Sequence, residues 1–315
     1  MRAARLHEWG VGAKIEDVPD PVPPAHGEAV VEMEAAAVTH LDLTLMSGTF
    51  AYRPALPFTP GTSGVGTVVA GDDTWRGRRV LVRGGGIGLE RDGTWAQHVT
   101  VPVTALREVP AKADAPLTAT CYSPLTTAWA AVEVVGKIRS GERVVVTGAS
   151  GAVGSMCVQM AARVGAHVTA VVSREARTAA VPEAADEILV GWNEDTVTRI
   201  KEAGGADVLL DPVGGDTVPV FLPALNPGAR AVLIGYVRGK TLTVDLPSLF
   251  AADVRLLPVS MVRQPVPDAT FSALLTDLTE SRLRLNATAF PFDRLADAIE
   301  ARRTGGSTGT VAVTL

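Results

Sequence analysis

The chain has 315 residues, of which 47% are hydrophobic and 20% are charged. This length suggests two domains or one large domain, and the composition is typical of globular proteins and excludes intrinsic disorder. The 29 Lys and Arg residues against 34 Asp and Glu residues give a net charge of −5. That charge argues against a nucleic-acid partner, because neutralising phosphates requires a basic surface.

Cysteine usage and apolar patterning indicate a cytoplasmic protein. Cys121 and Cys157 are far apart and show no CxxC or Cys/His spacing, so they predict neither a disulfide framework nor a zinc site. The N-terminal MRAARLHEWG lacks the apolar core of a secretory signal, and no strongly apolar window of about 18 residues predicts a membrane span. We therefore expect buried thiols in a reducing compartment and no membrane partner.

The first hundred residues are predicted to be rich in β-structure. Short apolar or alternating runs are separated by Gly, Pro and Asp turns, and a loop with four prolines covers residues 19–28. The predicted strands are Ala29–Val38, Gly64–Ala70, Arg79–Val82 and Gln97–Val101.

From about Thr118 the pattern changes to strands that alternate with helices. This alternation predicts a parallel, doubly wound sheet, because parallel neighbours need a crossover helix. The predicted strands are Arg143–Val146, His167–Val172, Asp207–Leu210, Arg230–Ile234 and the closing Thr310–Thr314. The predicted helices are Pro124–Val135, Gly154–Val164, Val197–Ala203, Val218–Leu225, Asp268–Arg282 and Phe292–Arg303. We predict an α/β domain over residues 116–258 and a β-rich domain over residues 1–115 that is completed by residues 259–315.

The clearest chemical motif is the segment VVVTGASGAVG at 144–154. A strand that enters a glycine-rich turn and then a helix can bind a dinucleotide pyrophosphate through the N–H groups of the first helical turn. Gly151 and Gly154 take the second and third positions of GxGxxG, with Ala152 and Val153 between them, while Ala149 takes the first. The alternative interpretation is a tight strand–helix turn that binds no ligand.

The end of the next strand predicts which dinucleotide binds. Sites that prefer NAD usually carry Asp or Glu about 20 residues after the glycines, but this chain has Ser173, followed by Arg174 and Arg177. A hydroxyl beside guanidinium groups suits a 2′-phosphate, so NADPH is the predicted cofactor. The alternative is that both arginines are simply solvated.

Two further motifs are interpreted as coincidental. The glycine-rich Arg83–Gly88 follows a strand but lacks the Lys-Ser/Thr of a P-loop, so we expect a flexible loop. Tyr236 and Lys240 match the YxxxK of short-chain dehydrogenases. That chemistry requires a helical turn, whereas Gly239 interrupts the spacer and the surrounding residues predict a strand, a loop and a strand.

The order of motifs along nearly the whole chain resembles the medium-chain dehydrogenase/reductase superfamily, in particular its zinc-independent, zeta-crystallin-like quinone oxidoreductase branch. The segments that carry this resemblance are Ala36–Asp42 with Ser47-Gly48, Pro60–Gly66, Asp92–Pro102, Leu125–Trp129, Asp211–Gly215 and Ser307–Val313. The resemblance implies a Rossmann-type domain together with a GroES-like catalytic domain.

Departures from the zinc-dependent relatives are equally informative. Those relatives hold catalytic zinc with a Cys near position 39 and a His-Glu pair near 62–63, where this chain has Thr39, Thr62 and Ser63. With so few soft or imidazole ligands, no metal is expected. Quinone reductases often carry Asn at the position of Thr39. They usually carry Lys or Arg after the final glycine, where this chain has Thr310.

The resemblance implies an NADPH-dependent oxidoreductase that transfers hydride to a small molecule. This acceptor is either a quinone or an α,β-unsaturated carbonyl compound, such as an enone or an enoyl substrate. Two alternatives remain open, a non-catalytic NADPH-binding protein like the crystallins and a zinc alcohol dehydrogenase. The resemblance further implies that Thr127 lies near the nicotinamide carboxamide. The remaining implied cofactor contacts are Gly214, Gly215, Gly235 and the neighbouring Tyr236.

The substrate is expected between the two domains, next to four candidate polar residues, Thr39, His40, Asp42 and Tyr52. His40 is a candidate proton donor, or else an orienting residue with water as the proton source. Tyr52 is interpreted either as a hydrogen-bond donor to the acceptor carbonyl or as an aromatic residue at the rim.

A homodimer is also expected, because family members often pair by sheet edges. The apolar Val254–Val262 could supply such an edge, although Pro258 limits the ladder and the segment could equally form an internal strand.

Overall fold

The computed structural model describes residues 1–50, 52–71, 73–305 and 308–315. These residues divide into two compact units, the first comprising residues 1–122 and 286–315 and the second residues 123–285. The Ser307 that opens the predicted closing motif lies outside the described residues.

The described strands and α-helices are numbered in chain order. The strands are β1 (Arg2–Arg5), β2 (Lys14–Asp17), β3 (Glu28–Ala37), β4 (Ser63–Gly71), β5 (Arg79–Arg83), β6 (His98–Pro102), β7 (Leu106–Glu108), β8 (Arg143–Thr147), β9 (His167–Val172), β10 (Glu187–Val190), β11 (Ala206–Asp211), β12 (Leu225–Leu233), β13 (Arg255–Pro258), β14 (Ala287–Pro291) and β15 (Thr310–Thr314). The α-helices are α1 (His40–Met46), α2 (Ala115–Trp129), α3 (Ala152–Val164), α4 (Glu194–Glu202), α5 (Thr217–Phe221), α6 (Leu246–Ala252), α7 (Asp268–Thr279) and α8 (Leu295–Thr304).

The second unit contains the predicted parallel, doubly wound sheet. Its six strands run in the order β10-β9-β8-β11-β12-β13, and every pair is parallel. The central strands are continuous apolar runs because both faces of a parallel sheet are covered by helices. A buried cluster that includes Val145, Leu209 and Phe221 fills one face. The Rossmann-type α/β architecture is thereby confirmed.

The first unit contains the predicted β-rich domain. Its sheet has the order β14-β15-β3-β4-β5-β7, with β6 paired to the other end of β3. The terminal strand β15 is antiparallel to β3 and parallel to β14, so the C-terminal segment completes the sheet that the N-terminal residues begin. Two apolar clusters form its core, one around Trp95 and Val313 and the other around Val31 and Val82.

Several element boundaries differ from the predictions. Helix α2 begins at Ala115, contains Pro124 and continues as a π-helical turn over Ala130–Val135, whereas the sequence predicted a start at Pro124. The predicted helix Val218–Leu225 ends at Phe221, because Leu225 already opens β12. Residues 234–245, which follow β12, include no strand. The second of the two strands predicted on either side of the loop at Tyr236 is therefore wrong.

The unit boundaries at 122/123 and 285/286 lie later than the predicted 115/116 and 258/259. Helix α7 belongs to the second unit for a specific reason: Asp277 accepts an ion pair from Arg163 on α3 at 2.7 Å. Beyond α7, the Gln159 side chain exchanges two hydrogen bonds, each of 2.8 Å, with the backbone of Arg284. These tertiary contacts leave no periodic signal in the sequence.

Among the described residues, the helices fall short of the length and apolarity that a membrane span requires.

Candidate active site

The glycine turn connects β8 to α3 through two backbone approaches that exclude larger residues. Gly148 has φ of +55°, and a Cβ on Gly154 would lie 2.2 Å from the Gly148 carbonyl oxygen. Gly151 is the N-cap of α3 and supplies no side chain to cap the helix. The N–H groups of the first turn, over Ala152, Val153 and Gly154, are therefore available to an anion, which the helix dipole also favours.

A second pair of glycines brings the ends of β11 and β12 into contact. A Cβ on Gly214 would lie 2.5 Å from the carbonyl oxygen of Gly235, and a Cβ on Gly235 would lie 2.3 Å from that of Pro212. The backbone of Gly214 also forms a bridge to Gly239. Because parallel strands end at the same edge, both glycine turns lie at the carboxyl edge of the sheet, where α/β folds bind nucleotides.

Asp211 organises this edge, although the sequence analysis named it only as part of a motif. Its buried carboxylate accepts hydrogen bonds from Thr147 Oγ1 at 2.6 Å and from the Val213 N–H at 3.1 Å, and also from the Gly214 N–H. Burial raises the pKa of Asp211, and these hydrogen bonds offset part of that rise. These hydrogen bonds from the Val213 and Gly214 N–H groups to the carboxylate hold the Gly214 turn in place.

Ser173, Arg174 and Arg177 follow the end of β9. Ser173 and Arg174 are exposed, while Arg177 is half-buried in the helical turn that follows. Burial, and secondly the charge of Arg174, lower the pKa of Arg177. The charge of Arg174 thus reaches the Arg177 guanidinium, and an anionic group bound beside both side chains would be attracted by two positive charges.

Trp192 and Arg238 form a contact that sequence reasoning missed. The guanidinium carbon of Arg238 lies 4.3 Å from the centre of the Trp192 ring, and the buried indole Nε1 has no hydrogen-bond partner. Trp192 follows β10, a strand that was not predicted because its four residues are too short to show a period. The neighbouring Tyr236 is 63% exposed, and Thr127 is half-buried on α2.

In the first unit, Thr39 caps helix α1. Its backbone N–H and its hydroxyl donate to Asp42 Oδ2 at 2.7 and 2.5 Å, and the Asp42 N–H donates back to Thr39 Oγ1 at 3.3 Å. This reciprocal arrangement is a capping box. The Thr39 hydroxyl is therefore engaged with the helix terminus.

The Oδ1 of the fully buried Asp42 also accepts a hydrogen bond of 3.0 Å from the N–H of Thr62. Burial raises the pKa of Asp42, against hydrogen bonds from Thr39 and Thr62 and the charge of Arg83. Arg83 in turn donates to the Thr62 carbonyl oxygen at 2.9 Å. One buried carboxylate thereby connects the cap of α1 to the segment before β4.

His40 is the first residue of α1. Although the residue is exposed, desolvation by the surrounding protein and, secondly, the nearby charge of Arg302 lower its pKa to about 4. The imidazole is thus neutral at physiological pH. Arg302 lies on α8, which packs against α1, and the sequence analysis did not identify it because an arginine near a helix end is usually a solvated residue.

Tyr52 lies in a different environment from Thr39 and His40. It is 49% exposed and lines a cavity of about 820 Å³ in the first unit, together with Arg5, Asp92 and His98. The described residues that line this cavity include neither Thr39 nor His40. The structure therefore places the three predicted catalytic residues in two groups.

Metal-ligating side chains do not converge in the described part of the chain. No three His, Cys, Asp or Glu residues there form a group that could hold a metal ion. Burial raises the pKa of Cys121 and of Cys157 to about 12, so neither thiol is a ready thiolate ligand.

Comparison with known proteins identifies the family. Residues 25–111 match the alcohol dehydrogenase GroES-like domain, and residues 152–280 match the zinc-binding dehydrogenase family. The chain belongs to the medium-chain dehydrogenase/reductase family, which confirms the resemblance found in its motifs.

Within this family, the similar proteins include quinone oxidoreductases, acryloyl-coenzyme A reductases, prostaglandin reductase-3 and an alcohol dehydrogenase. The chain is 28% identical to a probable quinone oxidoreductase of Schizosaccharomyces pombe, over 92% of this chain and 90% of that protein. It is 30% identical to acryloyl-coenzyme A reductase of Sulfurisphaera tokodaii, over 72% of this chain and 74% of that protein. The quinone oxidoreductase of Thermus thermophilus, solved also with NADPH, shares 28% identity with a TM-score of 0.81 and full coverage of both chains. The chain is thus an oxidoreductase of this family.

Proposed function

We propose that the chain is an NADPH-dependent, zinc-independent reductase that transfers hydride to a quinone or to an α,β-unsaturated carbonyl compound. The observation that carries the proposal is the carboxyl edge of the parallel sheet. Two glycine turns there allow close backbone approach, and Arg174 and Arg177 add positive charge beside Ser173. Two of the names found among the similar proteins, quinone oxidoreductase and acryloyl-coenzyme A reductase, support the two acceptor classes.

The cofactor suits the residues present. The first turn of α3 would bind the pyrophosphate, and Ser173 with the two arginines would bind the 2′-phosphate of the adenosine ribose. Gly214 and Gly235 would let the dinucleotide lie against the backbone, with Thr127 and Tyr236 as further contacts. The reduced dinucleotide supplies the hydride.

Zinc independence is supported by the residues at positions 39, 62 and 63. Thr39 is engaged in the cap of α1, and Thr62 and Ser63 offer hydroxyls in place of imidazole or carboxylate ligands. Without a metal to stabilise an alkoxide, alcohol oxidation is disfavoured. Reduction of an electron-poor acceptor needs only binding, orientation and a proton.

The proton source follows from the electrostatics of His40. A side chain with a pKa of about 4 is deprotonated at neutral pH, so it is a poor general acid there. We therefore favour an orienting role for His40, with water as the proton donor. Tyr52 remains a candidate donor to the acceptor carbonyl.

A spectrophotometric assay tests the proposal. NADPH oxidation is followed at 340 nm with a panel of quinones and a panel of enones and enoyl thioesters, with NADH in parallel. We expect turnover with at least one panel and a preference for NADPH. Binding of NADPH without turnover on either panel would favour the crystallin-like alternative. Stoichiometric zinc by elemental analysis, together with loss of activity after chelation, would favour an alcohol dehydrogenase.

We also propose that the chain forms a homodimer through β13. This strand ends the parallel sheet of the second unit, so it presents unpaired N–H and C=O groups to a second copy. Light scattering coupled to size exclusion measures the mass in solution. A monomeric mass at micromolar concentration would contradict the proposal.

A further inference from the structure

Trp192 and Arg238 make contact across the carboxyl edge of the parallel sheet. Trp192 is the second residue after β10, the outermost strand on one side. Arg238 belongs to the segment after β12, and its backbone N–H donates to the carbonyl oxygen of Val213, just after β11, at 3.1 Å. Strands β9 and β8 separate β10 from β11 in the sheet. The pair therefore spans the strand ends that carry Ser173 and the first glycine turn.

The Trp192 ring lies on the sheet face opposite helix α3. It packs against the buried cluster that covers one face and includes Ile200 of α4 and Phe221 of α5. Helix α3 contacts the same strands, β8 and β9, but among the described residues none of α3 belongs to this cluster. A dinucleotide whose pyrophosphate binds the first turn of α3 would thus have the Trp192 and Arg238 pair on its other side.

The end of β10 is where the adenine of such a dinucleotide would lie. The residues that we assign to the 2′-phosphate, Ser173, Arg174 and Arg177, follow β9. The adenine is bonded to the same ribose as this phosphate, so it stays beside the end of β9. The neighbours of β9 are β8 and β10, and the glycine turn after β8 takes the pyrophosphate. This leaves the end of β10, with Trp192, for the adenine.

Arg238 offers a planar surface at this place. Its guanidinium carbon lies over the Trp192 ring, 4.3 Å from the ring centre. The residue is exposed, and in the described part of the chain its guanidinium has neither a hydrogen bond nor an ion pair. Bases stack on guanidinium planes, and a guanidinium that already rests on an aromatic ring is held in one orientation. Since two other arginines are assigned to the 2′-phosphate, the face of Arg238 turned away from the indole suits a base.

We propose that the adenine ring of the dinucleotide stacks on the guanidinium of Arg238, which the Trp192 indole holds in place. The inference rests on the proposed function and deepens it, because it assigns the adenosine end of the same site. Arg238 makes and breaks no covalent bond, and its charge attracts the π-system of the base. Both NADPH and NADH carry the adenine, so stacking stabilises the two complexes equally.

The test titrates the full-length protein with NADPH and with NADH, followed by the emission of the reduced nicotinamide. Arg238→Ala should raise both dissociation constants about 5- to 30-fold, by factors that agree within twofold. Arg238→Lys keeps the charge but lacks the plane, and should weaken both at least threefold. A loss confined to NADPH would assign Arg238 to the 2′-phosphate and overturn the inference, as would unchanged affinities.

Fragments of the cofactor locate the effect. Adenosine 2′,5′-bisphosphate carries the adenine, whereas reduced nicotinamide mononucleotide lacks it. Arg238→Ala should weaken the bisphosphate, measured by competition with NADPH, by the same factor as NADPH itself. The affinity for the mononucleotide, and kcat at saturating NADPH, should stay within twofold. A comparable loss for the mononucleotide would indicate general damage to the site and overturn the inference.

Lys240→Ala is the matched control for charge, because Lys240 is an exposed cation on the same segment. It should leave both dissociation constants within twofold, and a loss equal to that of Arg238→Ala would overturn stacking in favour of a general charge effect.

Trp192→Leu tests the indole, because leucine keeps an apolar side chain against the cluster. In this background Arg238→Ala should weaken NADPH less than threefold. If Trp192→Leu fails to fold by circular dichroism, Trp192→Met replaces it with the same expectation. A full loss that persists in the folded variant would overturn the role of the indole.

Separate readouts distinguish this inference from the proposed function, since binding needs no turnover. Equal losses for both dinucleotides in Arg238→Ala, without NADPH oxidation by the wild type, would contradict the reductase and support the adenine site. Turnover by the wild type with unchanged affinities in Arg238→Ala would support the reductase and overturn the role of Arg238.

Discussion

The hydroxyl of Thr147 donates a 2.6 Å hydrogen bond to the buried carboxylate of Asp211, which joins the carboxyl ends of β8 and β11. Each residue is followed by a glycine turn, at Gly148 and at Gly214. The bond thus fixes the spacing of the two turns that we assign to the dinucleotide. Because the carboxylate is buried, its ionisation also affects stability.

We predict that Asp211→Asn changes the pH dependence of stability. Burial raises the pKa of Asp211 above its usual value of 3.8, so folding favours the protonated form. Its stabilising contribution is complete below pH 3.8, declines as the pH rises through the raised pKa, and is constant above it. The unfolding temperature of the wild type relative to Asp211→Asn should therefore fall from pH 4 upwards and then level off.

Asp73→Asn is the control for this measurement, because Asp73 is an exposed loop carboxyl. Differential scanning calorimetry of the three proteins across this range checks the prediction. An unfolding temperature of the wild type that rises relative to that of Asp211→Asn as the pH increases would contradict the prediction.

The double substitution Arg174→Ala/Arg177→Ala should weaken NADPH binding about 10²- to 10⁴-fold, because two charge-assisted hydrogen bonds are lost and each contributes roughly 1.5–3 kcal/mol. NADH, which lacks the 2′-phosphate, should change by less than threefold. Fluorescence titration gives both dissociation constants, and Arg199→Ala, an exposed residue paired with Glu187, is the control. Equal losses for both dinucleotides would refute the assignment of NADPH.

His40→Gln should leave the shape of the kcat–pH profile unchanged between pH 6 and 8. The imidazole has a pKa of about 4 and is neutral over this range, so it contributes no ionisation there. The absolute rate is expected to fall less than tenfold, because glutamine keeps a hydrogen-bond donor. A fall in kcat around pH 6.5 that the wild type shows and His40→Gln does not would establish that His40 acts as an acid.

Gly154→Ala should destabilise the second unit and weaken dinucleotide binding at least tenfold. The new Cβ would lie 2.2 Å from the Gly148 oxygen and 2.8 Å from its carbonyl carbon. Relieving this clash costs roughly 1–3 kcal/mol or more, which exceeds the gain of about 1 kcal/mol from replacing a helical glycine. Gly12→Ala, where a Cβ meets nothing within 4 Å, serves as the control in thermal unfolding. Equal stability of the two variants would contradict the close approach.

The sequence determined the class of fold and the location of the glycine turn. Apolar runs such as Arg143–Val146 and His167–Val172, each followed or preceded by helical spacing, are local signals that a parallel sheet requires. The glycines at 148, 151 and 154 are equally local, because backbone conformation and close approach restrict which residue can occupy each position. The hydrophobic composition excluded disorder, and the net charge argued against a nucleic-acid partner.

Tertiary structure alone decided which distant side chains meet. Asp42 and Arg302 are 260 positions apart, and only the packing of α8 against α1 brings the charge of one to the other. The neutral state of His40, the contact of Trp192 with Arg238 and the membership of α7 in the second unit arise in the same way. Burial and electrostatic interactions depend on distance in space, and spacing along the chain carries no record of that distance.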